Sequence, residues 1–366
     1  MNDSTTTANR DEPRNREVWR VLDANANRAA EGLRTLEDYA RLVTEDTATA
    51  RRVKQLRHLL AEVLAPLPRS ELLLARATHA DAGIRLSTHQ EEQRGELAQV
   101  VPAACQRVSQ SLRVLEEFSK YHSAALGQAF KQLRYETYDV LAETELRLVT
   151  GRQLTPDQRL YLLVDCSQAI EHFQQQLRQL AAAGVDLFQL RDKAADGGQL
   201  MRYARAGVAA LSETAARLIV NDRLDIALAA GAAGVHLGQD DLGLSDARRL
   251  AAGRLWIGIS THDLDQAVAA QDGGADYIGC GPTFPSQTKQ FTSFAGTHFL
   301  QQAAAAIEIP LFAIGGITLD NIDQVLQAGC GRAAVTAAIT RAADPQAAAR
   351  QLKYRLCQAP AAAPVS

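Results

Sequence analysis

The 366-residue chain has no long apolar run. No stretch approaches the ~18 uninterrupted apolar residues that suggest a membrane helix, so no membrane partner is expected. The opening "MNDSTTTANRDEPRNREVWR" has no apolar core of the signal-peptide kind, so export is not expected and a cytoplasmic location is. A basic excess is absent too. Lys and Arg total 39 against 42 Asp and Glu, a net charge of −3, and no aromatic-interleaved basic patch occurs, which argues against nucleic acid as a partner. Cysteine is scarce: Cys105, Cys166, Cys280, Cys330 and Cys357, an odd number with no CxxC pair. Free thiols in a reducing compartment follow. A zinc site is not expected, because no His/Cys cluster has ligand spacing. What remains is an ordinary soluble composition, 46% hydrophobic and 22% charged, long enough for two domains.

Two halves differ in pattern. Residues 1–12 and the tail "APAAAPVS" (359–366) have no periodicity and read as loose ends. From about 14 to 149 the pattern is helical: Val18, Leu22, Ala26, Ala29, Leu33, Leu36 and Ala40 fall at spacings of three and four. Segments 50–65, 94–122 and 125–149 continue it, and Pro66 and Pro68 interrupt it. A quasi-repeat lies within this half. "NRAAEGLRTLEDYAR" (27–41) aligns with "QRVSQSLRVLEEFSK" (106–120), matching Arg28/Arg107, Leu33/Leu112, Arg34/Arg113, Leu36/Leu115 and Glu37/Glu116. Two readings stand. Either the Arg–Glu pairs at i,i+3 decorate solvated helix faces, or the two copies face each other across a pseudo-twofold and share a polar site to which Asp81 and Gly83 belong.

After about residue 156 short apolar runs alternate with Ala- and Gln-rich segments. There are eight runs: "LYLLVD" (160–165), "VDLFQLR" (185–191), "RLIVND" (217–222), "GVHLG" (234–238), "WIGIST" (256–261), "YIGCGP" (277–282), "PLFAIGG" (310–316) and "AAVTAAI" (333–339). Continuous rather than alternating apolar character suits parallel strands covered on both faces. Eight βα units predict an α/β fold of the (β/α)8 TIM-barrel type in 151–366, preceded by an all-α domain in 1–150. A doubly wound sheet is the alternative, but no GxGxxG follows the first strand.

In such barrels the chemistry sits at the C-terminal strand ends. There the sequence supplies Gln189, Arg191 and Lys193, then Asn221 and Asp222, then Gln239, Asp240 and Asp241. Ser260 and His262 come next, followed by Ser286, Thr288 and Lys289, then Gly315 and Gly316, and last Thr336 and Ala337. The opposite ends look plain. Asp222 and Asp241 end neighbouring strands and can converge on one ion. Carboxylates beside Arg191, Lys193 and Lys289 suit a diphosphate with Mg2+, the hard cation bridging phosphate oxygens. The glycines after strand 7 and the backbone after strand 8 suit a phosphate cradle. Plainer roles exist for each: Asp222 or Asp240 as a helix cap, Gly315 and Gly316 as a turn, and His236 as a satisfied strand histidine.

"LYLLVD", "FQLRDK", "IVNDRLDIALAAGAAGVHLGQDD", "IGISTH", "YIGCGPTFPSQTK" and "FAIGGIT", in this order over about 158–345, resemble the thiamine phosphate synthase family. The resemblance implies a (β/α)8 barrel that joins a hydroxymethylpyrimidine diphosphate to a thiazole phosphate, releasing diphosphate with Mg2+ as cofactor. It implies that Gln189, Arg191, Lys193 and Asn221 contact the pyrimidine diphosphate. Asp222 and Asp241 would ligate Mg2+, and Ser260 would touch the diphosphate or the pyrimidine. Ser286, Thr288, Gly316, Thr336 and Ala337 would hold the thiazole phosphate, and Lys289 the diphosphate. Arg191, Lys193 and Lys289 are the implied catalytic cations. The family usually carries serine where this chain has Ala337. A thiazole tautomerase and a non-catalytic regulatory barrel are the alternatives on the same fold.

"DANANRAAEGLRTLEDYAR", "RATHADAG" and "SLRVLEEFSK" resemble the small helical domain fused to such synthases, whose members have been assigned as hydroxymethylpyrimidine phosphate kinases. The second repeat has Ala104 and Gln110 where the first has Asn25 and Glu31, and no Walker-type loop is present. A kinase and a docking or dimerisation module both remain open for this half, and a homo-oligomer is compatible with either.

Overall fold

A computed structural model describes residues 12–76, 97–150, 154–285 and 296–358, with the side chains of 12–15 and 149–150 outside the description. Residues 1–11, the tail 359–366, Asp81 and Gly83 lie outside the described residues, whereas Glu12, read as part of the loose end, begins the first helix. Two compact units emerge: Met1–Glu45 with Thr49–Gly151, and Asp46–Ala48 with Arg152–Ser366.

The first unit is helical: α1 (Glu12–Asp38) running into a π-helical turn (Tyr39–Val43), α2 (Thr47–Leu64), α3 (Arg69–Ala75), α4 (Val100–His122) and α5 (Ala124–Thr150). Leu22, Leu33, Leu36, Val108, Leu112, Leu115 and Phe130 form its core, each almost fully shielded from water. The repeated helices α1 and α4 cross closely at Gly32. A methyl built there would stand 2.7 Å from the Val108 side chain and 3.3 Å from the Ala104 carbonyl oxygen. The solvated-pair reading of the repeat needs correction. Glu37 and Glu116 are buried, and each ties its helix to the next one. Glu37 accepts from Arg57 of α2 at 3.0 Å, and Glu116 from Arg134 of α5 at 2.6 Å. Arg34 and Arg113, three residues before each glutamate, stay half-exposed and flank the pairs at 3.9 and 3.2 Å. The repeat thus encodes two equivalent buried clamps.

The second unit is a closed parallel barrel with its strands in sequence order. The strands are β1 (Leu160–Val164), β2 (Leu187–Leu190), β3 (Arg217–Asn221), β4 (Gly234–Leu237), β5 (Trp256–Thr261), β6 (Tyr277–Cys280), β7 (Leu311–Ile314) and β8 (Ala333–Val335). Each falls within one of the eight apolar runs. Pairing of Leu160 with Ala333 and Leu162 with Val335 closes the ring. Outward-facing Leu162, Phe188, Val220, Val235, Ile257 and Ile278 are sealed beneath the helices. Each such side chain contributes about 1.5–3 kcal/mol by leaving water. Inward-facing Tyr161, Leu187, Ile219, Trp256, Tyr277, Phe312 and Ala334 fill the barrel, with Leu154 at its foot. Three helices begin on aspartate caps. Asp196, Asp263 and Asp344 accept from the backbone N–H of Gln199, Gln266 and Ala347 at 2.8, 2.8 and 2.9 Å.

The N-terminal rim is less plain than the sequence suggests. Asp186, just before β2, accepts from the Arg159 and Leu160 N–H groups at 2.7 and 2.8 Å and pairs with Lys353 at 2.6 Å. Asp276, just before β6, accepts from the Ile257 N–H at 2.6 Å and from buried Arg248 at 2.6 Å. These carboxylates satisfy strand-entry amides, so this rim is a structural closure.

Candidate active site

A cavity of about 700 Å3 opens at the C-terminal rim. Ten of the strand-end residues singled out from sequence line it: Gln189, Arg191, Lys193, Asn221, Ser260, His262, Gly315, Gly316, Thr336 and Ala337. They come from five different strands or the loops that follow them. Parallel register is what gathers them: Gln189 sits level with Leu163 and Ile219, and Asn221 with His236. Ser286, Thr288 and Lys289 lie outside the described residues.

Asp222 and Asp241 come together beside this cavity, close enough for the Asp241 carboxylate to act directly on Asp222. Asp222 stands at the end of β3 in the left-handed region, φ 62°. Aspartate and asparagine tolerate that conformation better than most residues, and such strain collects at working sites. The Asp222 N–H donates to the His236 carbonyl at 2.8 Å, which anchors the turn on β4. Asp241 folds back so that one of its oxygens accepts the Gly238 N–H at 2.7 Å, tightening the loop after β4. Burial, and then the adjoining Asp241 carboxylate, push Asp222 up to about 6, while Lys193 and Arg191 pull the other way. Two like charges are therefore held together beside two cations that only partly offset them.

The plainer roles fare differently. The helix after β3 has Arg223 at its N-cap and the helix after β4 has Gly243, each with no side-chain cap. Neither Asp222 nor Asp240 is a cap, which corrects the helix-cap reading of both. His236 is buried and satisfied as expected, with Nδ1 3.2 Å from the Tyr277 hydroxyl and Nε2 2.9 Å from the Ser260 hydroxyl. Gly315 and Gly316 do make a turn, with φ of 103° and 63°. A methyl on Gly316 would lie 2.4 Å from the Pro285 carbonyl oxygen, so the loops after β6 and β7 approach as only glycine allows. Asn321 braces the same loop, donating to the Gly316 carbonyl at 2.8 Å and accepting from the Thr318 N–H at 2.8 Å.

Several cavity residues were not singled out from sequence. Tyr161, Tyr277, Asp165, Thr318 and Arg341 also line it. The tyrosines sit inside apolar runs and read there as core. Their signal is the polar tip, visible only once register shows which positions face inward.

Residues 160–339 match the family described as Thiamine monophosphate synthase, and residues 20–143 match the ThiD2 family. A thiamine-phosphate synthase of Rhodopirellula baltica is 41% identical over 333 residues, 88% of each chain. The chain belongs to the thiamine-phosphate synthase family. A thiamine-phosphate synthase of Nostoc punctiforme is 38% identical over 93% of this chain and 94% of its own. These family members span both halves, so the helical unit is a shared part of them. Among solved structures, the thiamine phosphate pyrophosphorylase of Pyrococcus furiosus is similar, with a TM-score of 0.50 and 30% identity. It covers 98% of that chain and 56% of this one. This protein is thus an enzyme of thiamine biosynthesis, a transferase that makes thiamine phosphate. Among the described residues no helix is long and apolar enough to cross a membrane.

Proposed function

We propose that the barrel condenses 4-amino-2-methyl-5-hydroxymethylpyrimidine diphosphate with a thiazole phosphate, releasing diphosphate, in a Mg2+-dependent reaction. One observation carries this reading: two carboxylates from neighbouring strand ends come together near Arg191 and Lys193, which line the cavity with Gln189 and Asn221. The donor set fits magnesium. Mg2+ commonly takes one or two carboxylates and completes its shell with water and substrate phosphate oxygens. Among the described residues no cluster of three or more acidic, His or Cys ligands occurs, so a wholly protein-built cage is not what these residues offer. Asp222 and Asp241 would hold the ion, which supplies neutralisation of phosphate charge when bound.

The chemistry is a dissociative substitution. The C–O bond to diphosphate breaks with its electron pair leaving on the oxygen, and the aminopyrimidine ring stabilises the methylene cation. The thiazole nitrogen then donates its lone pair to form the C–N bond. No proton needs to be moved and no side-chain nucleophile is called for. Arg191, Lys193 and Lys289 take the charge that grows on the departing group, the electrostatic form of catalysis. Gln189, Asn221 and Ser260 orient the pyrimidine end. The turn at Gly316 with Thr336 and Ala337, joined by Ser286 and Thr288, takes the thiazole phosphate. A thiazole tautomerase would need only that last corner. The paired carboxylates beside two cations favour the synthase.

The helical unit keeps Asn25 in its first repeat, buried and donating to the Val21 carbonyl at 2.9 Å, with buried Ala104 in its place in the second. We assign this half no step in the barrel reaction. A single assay tests both halves: purified full-length protein with pyrimidine monophosphate, ATP, thiazole phosphate and Mg2+. Thiamine phosphate formed only from pre-made pyrimidine diphosphate is the expected result. Product from the monophosphate would give the helical half a kinase activity. No product from the diphosphate would overturn the barrel reading.

A further inference from the structure

Five polar side chains cross the barrel floor in one hydrogen-bonded line. The Gln189 amide of β2 donates to the Tyr161 hydroxyl of β1 at 2.9 Å, and that hydroxyl lies 3.0 Å from the Tyr277 hydroxyl of β6. The Tyr277 hydroxyl lies 3.2 Å from His236 Nδ1 on β4, and His236 Nε2 lies 2.9 Å from Ser260 Oγ on β5. Both ends, Gln189 and Ser260, line the substrate cavity, as do Tyr161, Tyr277 and His236, which are themselves buried.

Donor counting gives the line a direction. An amide nitrogen only donates, so the Tyr161 oxygen accepts from Gln189 and its hydrogen must go to Tyr277. If Tyr277 donated to Tyr161 instead, the buried Tyr161 hydroxyl hydrogen would have no protein acceptor among the described residues. Tyr277 must then donate onward to Nδ1, which is therefore unprotonated. An imidazole with Nδ1 unprotonated carries its one hydrogen on Nε2, which points at Ser260. The Ser260 hydroxyl hydrogen is left to serve the cavity, and so is the Gln189 amide oxygen. Reversing one end reverses every link, because each hydroxyl carries a single hydrogen.

Room for this line is built into the sequence. A methyl on Gly258 of β5 would stand 2.1 Å from the Tyr277 ring carbon Cζ, and one on Gly279 of β6 would stand 3.3 Å from His236 Cε1. Neither glycine has the positive φ that would otherwise explain it. The two vacated side-chain spaces are where the tyrosine and imidazole rings lie.

We propose that His236 is a positioning residue which, as the neutral Nε2–H tautomer, fixes the direction of this line and so sets an acceptor at Gln189 and a donor at Ser260 toward the pyrimidine. The identity of that ligand rests on the function proposed above. An aminopyrimidine carries amino N–H donors next to ring-nitrogen acceptors, the same donor-beside-acceptor pattern that a carboxamide reads on adenine. A line that could run either way would present the wrong pattern half the time, whereas a directed one presents a single pattern.

Nitrogen-15 spectra of the ligand-free full-length protein, labelled at histidine, test the direction without reference to substrate. His236 is expected to show a pyrrole-type signal at Nε2 and a pyridine-type signal at Nδ1. In Tyr277→Phe, which removes the oxygen that binds Nδ1 but keeps the ring, the two tautomers should mix. A protonated Nδ1 in the wild type, or a Tyr277→Phe spectrum that does not change, overturns the proposal. Kinetics supply the second readout. Tyr277→Phe and His236→Leu should each raise KM for the pyrimidine diphosphate by about tenfold, the loss of roughly one hydrogen bond, with KM for thiazole phosphate unmoved. His236→Gln, which restores one acceptor and one donor, should return KM to within about threefold of wild type, a margin well inside one hydrogen bond. Equal effects from Gln and Leu, or no effect from either, overturn it as well. A wild type that shows the expected tautomer yet has no turnover would instead count against the substrate reading.

Discussion

Asp222→Asn should make the metal-free protein more stable while removing its activity. The carboxylate is held up at about 6 against an ordinary 3.8 by burial and by Asp241. At pH 7 the folded state must therefore ionise a group that prefers its proton. The sign follows from linkage. Between about pH 4 and 6 the folded state binds more protons than the unfolded one, so the wild type loses stability as pH rises through that window. A shift of this size corresponds to about 3 kcal/mol if undiminished. Asp222 is only half-buried, and solvent screening reduces that to about 1–2 kcal/mol. Asparagine keeps the size and tolerates the left-handed φ of 62°, so no backbone penalty is added. For a unit of about 200 residues the gain amounts to roughly 2–6 °C in melting temperature. Thermal unfolding in excess chelator at pH 7 should show it, and at pH 4 the two proteins should converge. Excess Mg2+ with diphosphate should reverse the order, because only the wild type gains binding energy. An Asp222→Asn protein that is less stable than wild type in chelator at pH 7, or a difference that does not vary with pH, would refute the reasoning.

Three other outcomes are expected. Burial holds His236 down to about 4, below its ordinary 6.5, so it costs stability as pH falls through that window, by about 3 kcal/mol near pH 4; urea unfolding at pH 7 and 4.5 should show this fall in wild type and lack it in His236→Gln. Gly316→Ala places a methyl 2.4 Å from the Pro285 carbonyl oxygen at a φ of 63°, so it should displace the loops after β6 and β7 and raise KM for thiazole phosphate by tenfold or more, an effect of at least about 1.4 kcal/mol, with KM for the pyrimidine substrate little changed. Asp276→Ala leaves buried Arg248 without its carboxylate and the Ile257 N–H without its acceptor, so equilibrium unfolding should show a loss of about 3–5 kcal/mol.

The barrel was legible because its strands are buried on both faces. Runs such as "LYLLV" and "WIGIS" are continuous enough to stand out, and each run ends where polar residues begin. That same continuity hid the barrel floor. With both faces apolar, nothing in "LYLLV" or "GVHL" shows that Tyr161 and His236 face inward, since alternation carries no signal there. Only register, which joins residues from strands far apart in sequence, makes Gln189, Tyr161, Tyr277, His236 and Ser260 one line. Gly258 and Gly279 were opaque for a related reason: the space each leaves is filled from a neighbouring strand. The paired aspartates were readable because position at a strand end is a local property. Asp186 and Asp276 were passed over because a carboxylate before a strand looks like a loop residue until the amides it satisfies are seen. Glu37 and Glu116 looked solvated because helical spacing reveals the near arginine at i−3 and not the one on the following helix.

Whether Asp222 and Asp241 hold a divalent cation against a departing diphosphate is measured most directly by diphosphate release from the full-length enzyme with both substrates. Turnover should vanish in excess chelator, return with added Mg2+, and be lost in Asp222→Asn although that protein stays folded. Undiminished turnover in chelator, or full activity in Asp222→Asn, would contradict it.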